Sequence, residues 1–305
     1  MQIGVLLNKM LVFLVLMALG YVGARKKLLT PDFTKGASWL TMNVFLAATI
    51  LNSAFTSTEG LTLAETTSAL LVFTGAELLC YAVGFLATKL LRVRGERAPI
   101  FELLIAVVNS IYVGLPVVQL LYGAKAVIYM AISCLPFNFV LFSYGVWRLQ
   151  GGGKSSLNWR AILSTPMVVT LLSLPLFLFR VPMPAAVKEL TGTLSGGTVP
   201  LSMVVIGASL GRVSLLDAFK EKSLYLASLF RLILVPLLAW PLLRLVTADE
   251  ILRATALVFC ACPSGVLVSI LSIQYGKDAE YASKGVLLAT TLSMLTIPAL
   301  IALLL

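Results

Sequence analysis

The chain has 305 residues, 59% of them hydrophobic and 12% charged, with a mean hydropathy of +1.00. No soluble domain of this size carries that composition; apolar runs of about 20 residues recur from end to end, so the fold class is an all-α polytopic membrane protein set in a lipid bilayer. The formal net charge of +10 falls mostly in short loops between those runs, with no exposed aromatics interleaved, which argues against a nucleic-acid partner.

Ten spans are expected, over roughly 3–23, 33–55, 65–88, 99–121, 125–147, 160–180, 186–210, 223–246, 251–273 and 279–303. The first has no basic leader and no cleavage site, so it reads as a span and not as a signal peptide. The third carries Glu77 in VFTGAELLCYAV. In the fourth, FELLIAVVNSIYVGLPVVQLLYG, the middle holds Asn109, Ser110, Tyr112, Gly114 and Pro116. Pro removes a backbone donor, Gly loosens the same region and Asn offers an amide, so this helix is expected to break there. Freed backbone groups at that depth are tolerated only when buried in protein or lining a wet cavity, as in the broken helices of secondary transporters.

The fifth span has Asn138 within FNF, and a short Gly-rich linker, 150–159, follows at the midpoint of the chain. Gly151-Gly-Gly-Lys154-Ser lacks the spacing and the preceding strand of a phosphate loop. The eighth span carries Arg231 in YLASLFRLILV, and the ninth, ILRATALVFCACPSGVLVSILSI, is interrupted by Pro263, Ser264 and Gly265. Lys and Arg cluster in alternate loops: Arg25, Lys26 and Lys27; Lys89, Arg92, Arg94 and Arg97; Arg148, Lys154 and Arg160; Arg212, Lys220 and Lys222; and Lys277. The intervening loops hold only Lys125, Arg180, Lys188, Arg244 and Arg253. This asymmetry predicts a multi-pass protein of the cytoplasmic membrane with both termini outside the cytoplasm.

The two five-span halves, 1–149 and 160–305, read as copies. A shift of 153 places Pro31 on Pro184, Lys35 on Lys188, and Tyr122-Gly123 on Tyr275-Gly276. An odd number of spans per half turns the second copy upside down, the inverted repeat of many carriers. The prolines of the two broken spans do not superpose, since Pro116 falls on Ser269 and Pro263 on Ser110, so two different local geometries are expected.

The stretch from Asn109 to Pro116, the stretch Pro200-Leu-Ser-Met-Val-Val-Ile-Gly-Ala-Ser-Leu210 and the stretch from Tyr275 to Ser283 together resemble the auxin efflux carrier family. The resemblance covers the whole chain. It implies ten spans in two inverted repeats with crossing helices four and nine. It also implies a scaffold of spans 1, 2, 6 and 7 that usually forms a homodimer, and a moving domain of spans 3–5 and 8–10. One departure is Ala47, where the family commonly has a proline in span 2; its repeat mate Pro200 is kept. The long cytoplasmic loop of plant members is absent, so kinase regulation through such a loop is not expected.

Where two broken helices cross, half-helix N-termini present partial positive charge and free N–H groups, which suits an anion. The expected cradle is formed near Tyr112–Pro116 and Pro263–Gly265, with hydrogen bonds from Asn109, Ser110 and Ser264, and with Asn138 either facing the same cavity or serving as interhelical packing glue. A small organic anion is thus the expected substrate. Glu77 and Arg231 are the charges well inside spans, and each costs about 2.5–3.5 kcal/mol there. Two readings stay open: a structural ion pair, or a proton-coupling carboxylate with its countercharge.

Other absences narrow the chemistry. There is no histidine, and Cys80, Cys134, Cys260 and Cys262 all lie in apolar runs, so no metal site, cofactor or disulfide frame is expected. With no paired aspartates or serine–lysine dyad at depth, the chain is not expected to be an enzyme. The alternatives are a sodium-coupled carrier of bile-acid-transporter type, for which Glu102 and Gln119 look too far from the centre, and an anion channel or non-transporting sensor.

Overall fold

The computed structural model describes residues 3–56, 61–151, 165–179, 181–211 and 220–304. Most of the expected linker, 152–159, and the start of the sixth span, 160–164, lie outside these residues, as do Arg180 and Arg212. Leu-, Ile-, Val- and Ala-rich runs without water to bond their backbones satisfy themselves internally, and the described chain is accordingly helical. In order it forms α1 (Ile3–Arg25), α2 (Pro31–Leu40), α3 (Leu46–Thr56), α4 (Leu63–Leu90), α5 (Arg97–Ala106), α6 (Leu115–Ile132), α7 (Cys134–Val140) and α8 (Val146–Leu149). The second half continues with α9 (Thr165–Leu178), α10 (Ala185–Leu210), α11 (Lys222–Leu229), α12 (Val235–Val246), α13 (Glu250–Ala261), α14 (Leu267–Gln274) and α15 (Ala279–Leu304).

Six stretches are long and apolar enough to cross a bilayer among the described residues: Pro31–Phe55, Leu63–Leu90, Ser110–Leu149, Ala185–Ser209, Lys222–Val246 and Ala279–Leu304. The 40-residue stretch Ser110–Leu149 is not one rod, because Gly123 interrupts it at φ +73°, a backbone that L side chains avoid. Single π-helical turns occur at Thr41–Phe45, Ser110–Gly114, Leu141–Gly145 and Phe230–Leu234. Such turns insert an extra residue and re-aim the side chains around them.

Local signals set several helix starts. Thr62 and Glu65 form a reciprocal capping box at α4: the Thr62 hydroxyl accepts from the Glu65 N–H (3.1 Å) and the Glu65 carboxylate accepts from the Thr62 N–H (2.7 Å). Asp249 caps α13 by accepting from the N–H groups of Ile251 and Leu252. Pro31 opens α2 at the one position where its missing N–H costs nothing.

The chain separates into two compact units, each drawn from both halves of the sequence. The first comprises Met1–Leu71, Ile111–Leu135 and Leu163–Arg212. Its centre is the contact of α1 with α10, where backbones touch through glycines. A Cβ on Gly20 would lie 2.1 Å from the Val204 carbonyl oxygen, and one on Gly207 would lie 2.0 Å from that of Met17. Gly211, one turn further, would meet the Tyr21 carbonyl oxygen at 2.7 Å. Without a hydrophobic drive between helices in lipid, such small-residue seams are what lets two helices associate closely. The hydroxyls of Thr49 and Thr198 pair at 2.6 Å between α3 and α10. Gly207→Val is therefore expected to separate α1 from α10 and to lower the melting temperature of the detergent-solubilised protein by many degrees, whereas Gly36→Val, at a glycine with open space around it, is expected to leave it in place.

The second unit comprises Val72–Ser110, Pro136–Ile162 and Val213–Leu305. Here α5 is the buried post. Gly84 admits α4 against it, since a Cβ there would sit 2.7 Å from the Glu102 carbonyl oxygen, and Gly285 admits α15 against the Leu104 side chain. Phe73 meets Phe259 edge to face at 5.5 Å, joining α4 to α13.

Candidate functional site

Helix α5 stops at Ala106, and Val107 turns extended with φ −80° and ψ +123°. Helix α13 stops at Ala261, and Cys262, immediately before Pro263, is extended with φ −61° and ψ +148°. A residue preceding proline is pushed out of the helical region, so Pro263 is the physical cause of the second stop. The two extended segments meet. The Asn109 N–H donates to the Pro263 carbonyl and the Gly265 N–H donates to the Val107 carbonyl, each at 2.9 Å, forming an antiparallel bridge centred on Val108 and Ser264. Pro263 needs only to accept there, so its missing N–H is not felt. Gly265 is required for closeness: a Cβ on it would lie 3.0 Å from both the Val107 Cγ1 and the Val108 carbonyl oxygen.

Breaking two helices leaves carbonyls without partners at each C-terminal end. One side chain serves both ends. Arg231, fully buried in the π-turn Phe230–Leu234, donates from Nε to the Cys262 carbonyl at 2.7 Å. Its Nη2 donates to the carbonyls of Phe259 (3.1 Å) and Cys260 (3.0 Å). Its Nη1 donates to the Ile105 carbonyl (3.1 Å) and to the Cys80 sulfur (3.2 Å). All five guanidinium N–H groups are used, and the positive charge sits where two helix dipoles end negative. The Ser264 hydroxyl completes the set by donating to the Leu104 carbonyl.

Of the two readings left open for Glu77 and Arg231 the ion pair is not seen, and the expected break in the fourth span is displaced. Glu77 and Arg231 do not form an ion pair: the guanidinium is committed to carbonyls and a sulfur, and both Glu77 oxygens are buried without a hydrogen-bond partner. The break in the fourth span lies at 107–109, ahead of the Gly–Pro cluster expected to cause it. Gly114 has ordinary helical φ of −64°, and Pro116 stands in the first turn of α6, where a proline is harmless.

Asn109, Pro263, Ser264 and Gly265 are brought together by the bridge. The Asn109 amide and the Ser110 hydroxyl make no hydrogen bond among the described residues, although both residues are buried. Tyr112, Gly114 and Pro116 belong to the first unit, where the Tyr112 hydroxyl donates to the Ser38 carbonyl at 3.2 Å. Asn138 is buried in α7. Among the described residues no group of three or more acidic, cysteine or histidine side chains is placed to hold a metal ion.

A second polar cluster escaped the sequence reading. Glu102 is fully buried in α5, and its carboxylate accepts from the Tyr144 hydroxyl at 2.6 Å and from Arg148 Nε at 2.8 Å. The available signal was the spacing of Tyr144 and Arg148, which puts both on one helical face near the end of the fifth span.

These features define a polytopic helical membrane protein organised around two discontinuous helices. The chain belongs to the family described as Membrane transport protein, that of the auxin efflux carriers, whose model matches residues 5–156 and 152–301. An uncharacterized transporter of Methanothermobacter thermautotrophicus is 25% identical over 195 residues, covering 63% of this chain and 64%, just under two thirds, of that relative's length. An uncharacterized transporter of Methanocaldococcus jannaschii is 26% identical over 230 residues, covering 72% of this chain and 74% of its own.

Proposed function

We propose that the protein is a secondary transporter for small organic anions, carboxylates such as malate or auxin-like acids, working by alternating access at the crossing of its broken helices. The observation that carries this reading is the bridge between Val107–Asn109 and Pro263–Gly265, extended backbone inside two apolar segments. Irregular backbone inside apolar segments is tolerated only where it is buried in protein or lines a wet cavity, and secondary carriers build their substrate sites from such breaks. The polarity of the ends supports an anion. Arg231 closes the carbonyl ends of α5 and α13. The chain then continues into new helical segments at Ser110 and Leu267, whose N-terminal N–H groups carry partial positive charge. Asn109 and Ser110 supply the uncommitted hydrogen-bonding groups.

In this reading the chain forms ten spans in two inverted repeats, with a scaffold of spans 1, 2, 6 and 7 that pairs as a homodimer. The paired breaks support it, since the bridge sets Val108 opposite Ser264, three residues from the shift read in sequence. Both Tyr-Gly turns also place their glycine at positive φ, +73° at Gly123 and +62° at Gly276.

The test is uptake into proteoliposomes together with a thermal-shift screen across a carboxylate panel. A ligand at about a hundred times its Kd stabilises by about 2.7 kcal/mol, which reads as a shift of several degrees. Asn109→Ala is expected to abolish uptake and the ligand-induced shift while leaving expression and the unliganded melting temperature near wild type. Normal transport by that variant would remove the proposal.

A further inference from the structure

Two polar side chains of α4 take no part in the crossing. Glu77 buries both carboxylate oxygens and Tyr81 buries its hydroxyl, none with a hydrogen-bond partner. They are four residues apart, so both lie on one face of α4. The groups whose charge reaches Glu77 are Cys80 on its own helix, Arg231, and Cys260 on α13. Those reaching Tyr81 are Glu77, Cys80, Glu102 and Tyr144. The Tyr81 ring meets that of Tyr144 edge-on at 5.5 Å, and a Cβ at Gly145 would lie 3.3 Å from its hydroxyl. Tyr144 in turn donates to the fully buried Glu102, which Arg148, with 28% of its side chain exposed, holds from the other oxygen. Arg148, Glu102 and Tyr144 are thus joined by hydrogen bonds, Tyr81 meets Tyr144 through its ring, and Glu77 stands one turn from Tyr81 on the same face of α4.

We propose that these groups form a proton path and that Glu77 is the coupling site of the carrier, an inference that rests on the transport reading above. A proton entering at the Glu102–Tyr144 end passes by way of the Tyr81 hydroxyl to a Glu77 oxygen, converting carboxylate to carboxylic acid; the reverse step releases it. The chemistry favours a proton over sodium. Sodium needs several oxygen ligands, and the carbonyls freed at the ends of the broken helices, those of Ile105, Phe259, Cys260 and Cys262, are already taken by Arg231. The guanidinium already supplies the positive charge that those carbonyls would draw, and a proton needs only the carboxylate itself. Coupling follows from charge. Ionised Glu77 adds a full negative charge to the helix ends that already face Arg231; protonation removes that charge in a low dielectric, and an organic anion arriving at the crossing restores it. Proton and anion are then carried in the same direction.

The test has two arms. Infrared difference spectra of the purified protein in lipid, taken between acid and alkaline pH, need no substrate. A carboxylic-acid band that vanishes at alkaline pH is expected in the wild type and absent in Glu77→Gln. In Tyr81→Phe, which keeps the ring and its packing, the band is expected to remain but to respond to a pH jump about a hundredfold more slowly, the lower end of what a positioned proton-transfer group contributes. An unchanged band in Glu77→Gln, or an unchanged rate in Tyr81→Phe, would overturn the path. The second arm follows radiolabelled L-malate into proteoliposomes carrying an internal pH dye. Uptake driven by an inward proton gradient, indifferent to sodium and lost in Glu77→Gln, supports coupling, whereas uptake driven by sodium overturns it. Absence of malate uptake in the wild type counts against the carboxylate reading, and the infrared arm still decides Glu77.

Discussion

Replacing Arg231 with methionine is expected to leave little folded protein to purify. The variant keeps the volume of the arginine stem and removes its five donors. Three carbonyls, those of Ile105, Cys260 and Cys262, lose their partner together in a fully buried region, and that of Phe259 keeps only the bond from the Cys262 N–H at 3.3 Å. Each buried acceptor left bare costs about 1–3 kcal/mol, so the sum is comparable with the whole of an ordinary protein's stability of about 5–15 kcal/mol. Lysine does not rescue the site: it keeps the charge but offers three donors from one point, whereas the acceptors are spread over the ends of two helices. The checks are the yield of monodisperse protein after detergent extraction and its melting temperature. Arg231→Lys is expected to fold with a melting temperature well below wild type, and Arg231→Met to aggregate. Recovery of Arg231→Met within a few degrees of wild type would mean that the helix ends are satisfied by something other than this side chain.

The same residue shows how much of the molecule was legible beforehand. Hydropathy and length made the protein helical and membrane-spanning, because the demand to satisfy every backbone group locally leaves no alternative. The break in the ninth span was also readable, since Pro263 acts on its immediate neighbour Cys262. The break in the fourth was misplaced. No residue near Val107 forbids helix; that segment leaves the helix because the backbone at Pro263–Gly265 offers it partners, a cause 156 residues away in sequence. Arg231 stood out as a charge inside a span, and a carboxylate was the natural partner to assign it. Its actual partners are main-chain carbonyls, which carry no signature in sequence because every residue has one. In sequence Glu102 looks too far from the centre to be a sodium ligand, yet burial against Tyr144 and Arg148 makes it the anchor of the second polar cluster.

If the crossing depends on close backbone approach, its weak point is Gly265, and adding one methyl there tests it directly. In Gly265→Ala the new carbon would stand 3.0 Å from the Val107 Cγ1 methyl and 3.0 Å from the Val108 carbonyl oxygen. Both contacts are too tight to keep, so the segments must part by a few tenths of an ångström, weakening the reciprocal bonds from Asn109 and Gly265. The expected cost is about 1–3 kcal/mol, with a larger loss of uptake, because the Asn109 amide is displaced along with its backbone. Gly265→Leu, too large for the gap, is expected to abolish the pairing and the fold of this unit. The two obstacles can be told apart by a double-mutant cycle. Val107→Ala removes the methyl contact and leaves the carbonyl contact in place. Combined with Gly265→Ala it is expected to recover part of the lost melting temperature and uptake, with a coupling of about 0.5–3 kcal/mol between the sites. Strict additivity would mean that the side chain of Val107 does not limit the approach, and that the carbonyl of Val108 alone holds position 265 to glycine.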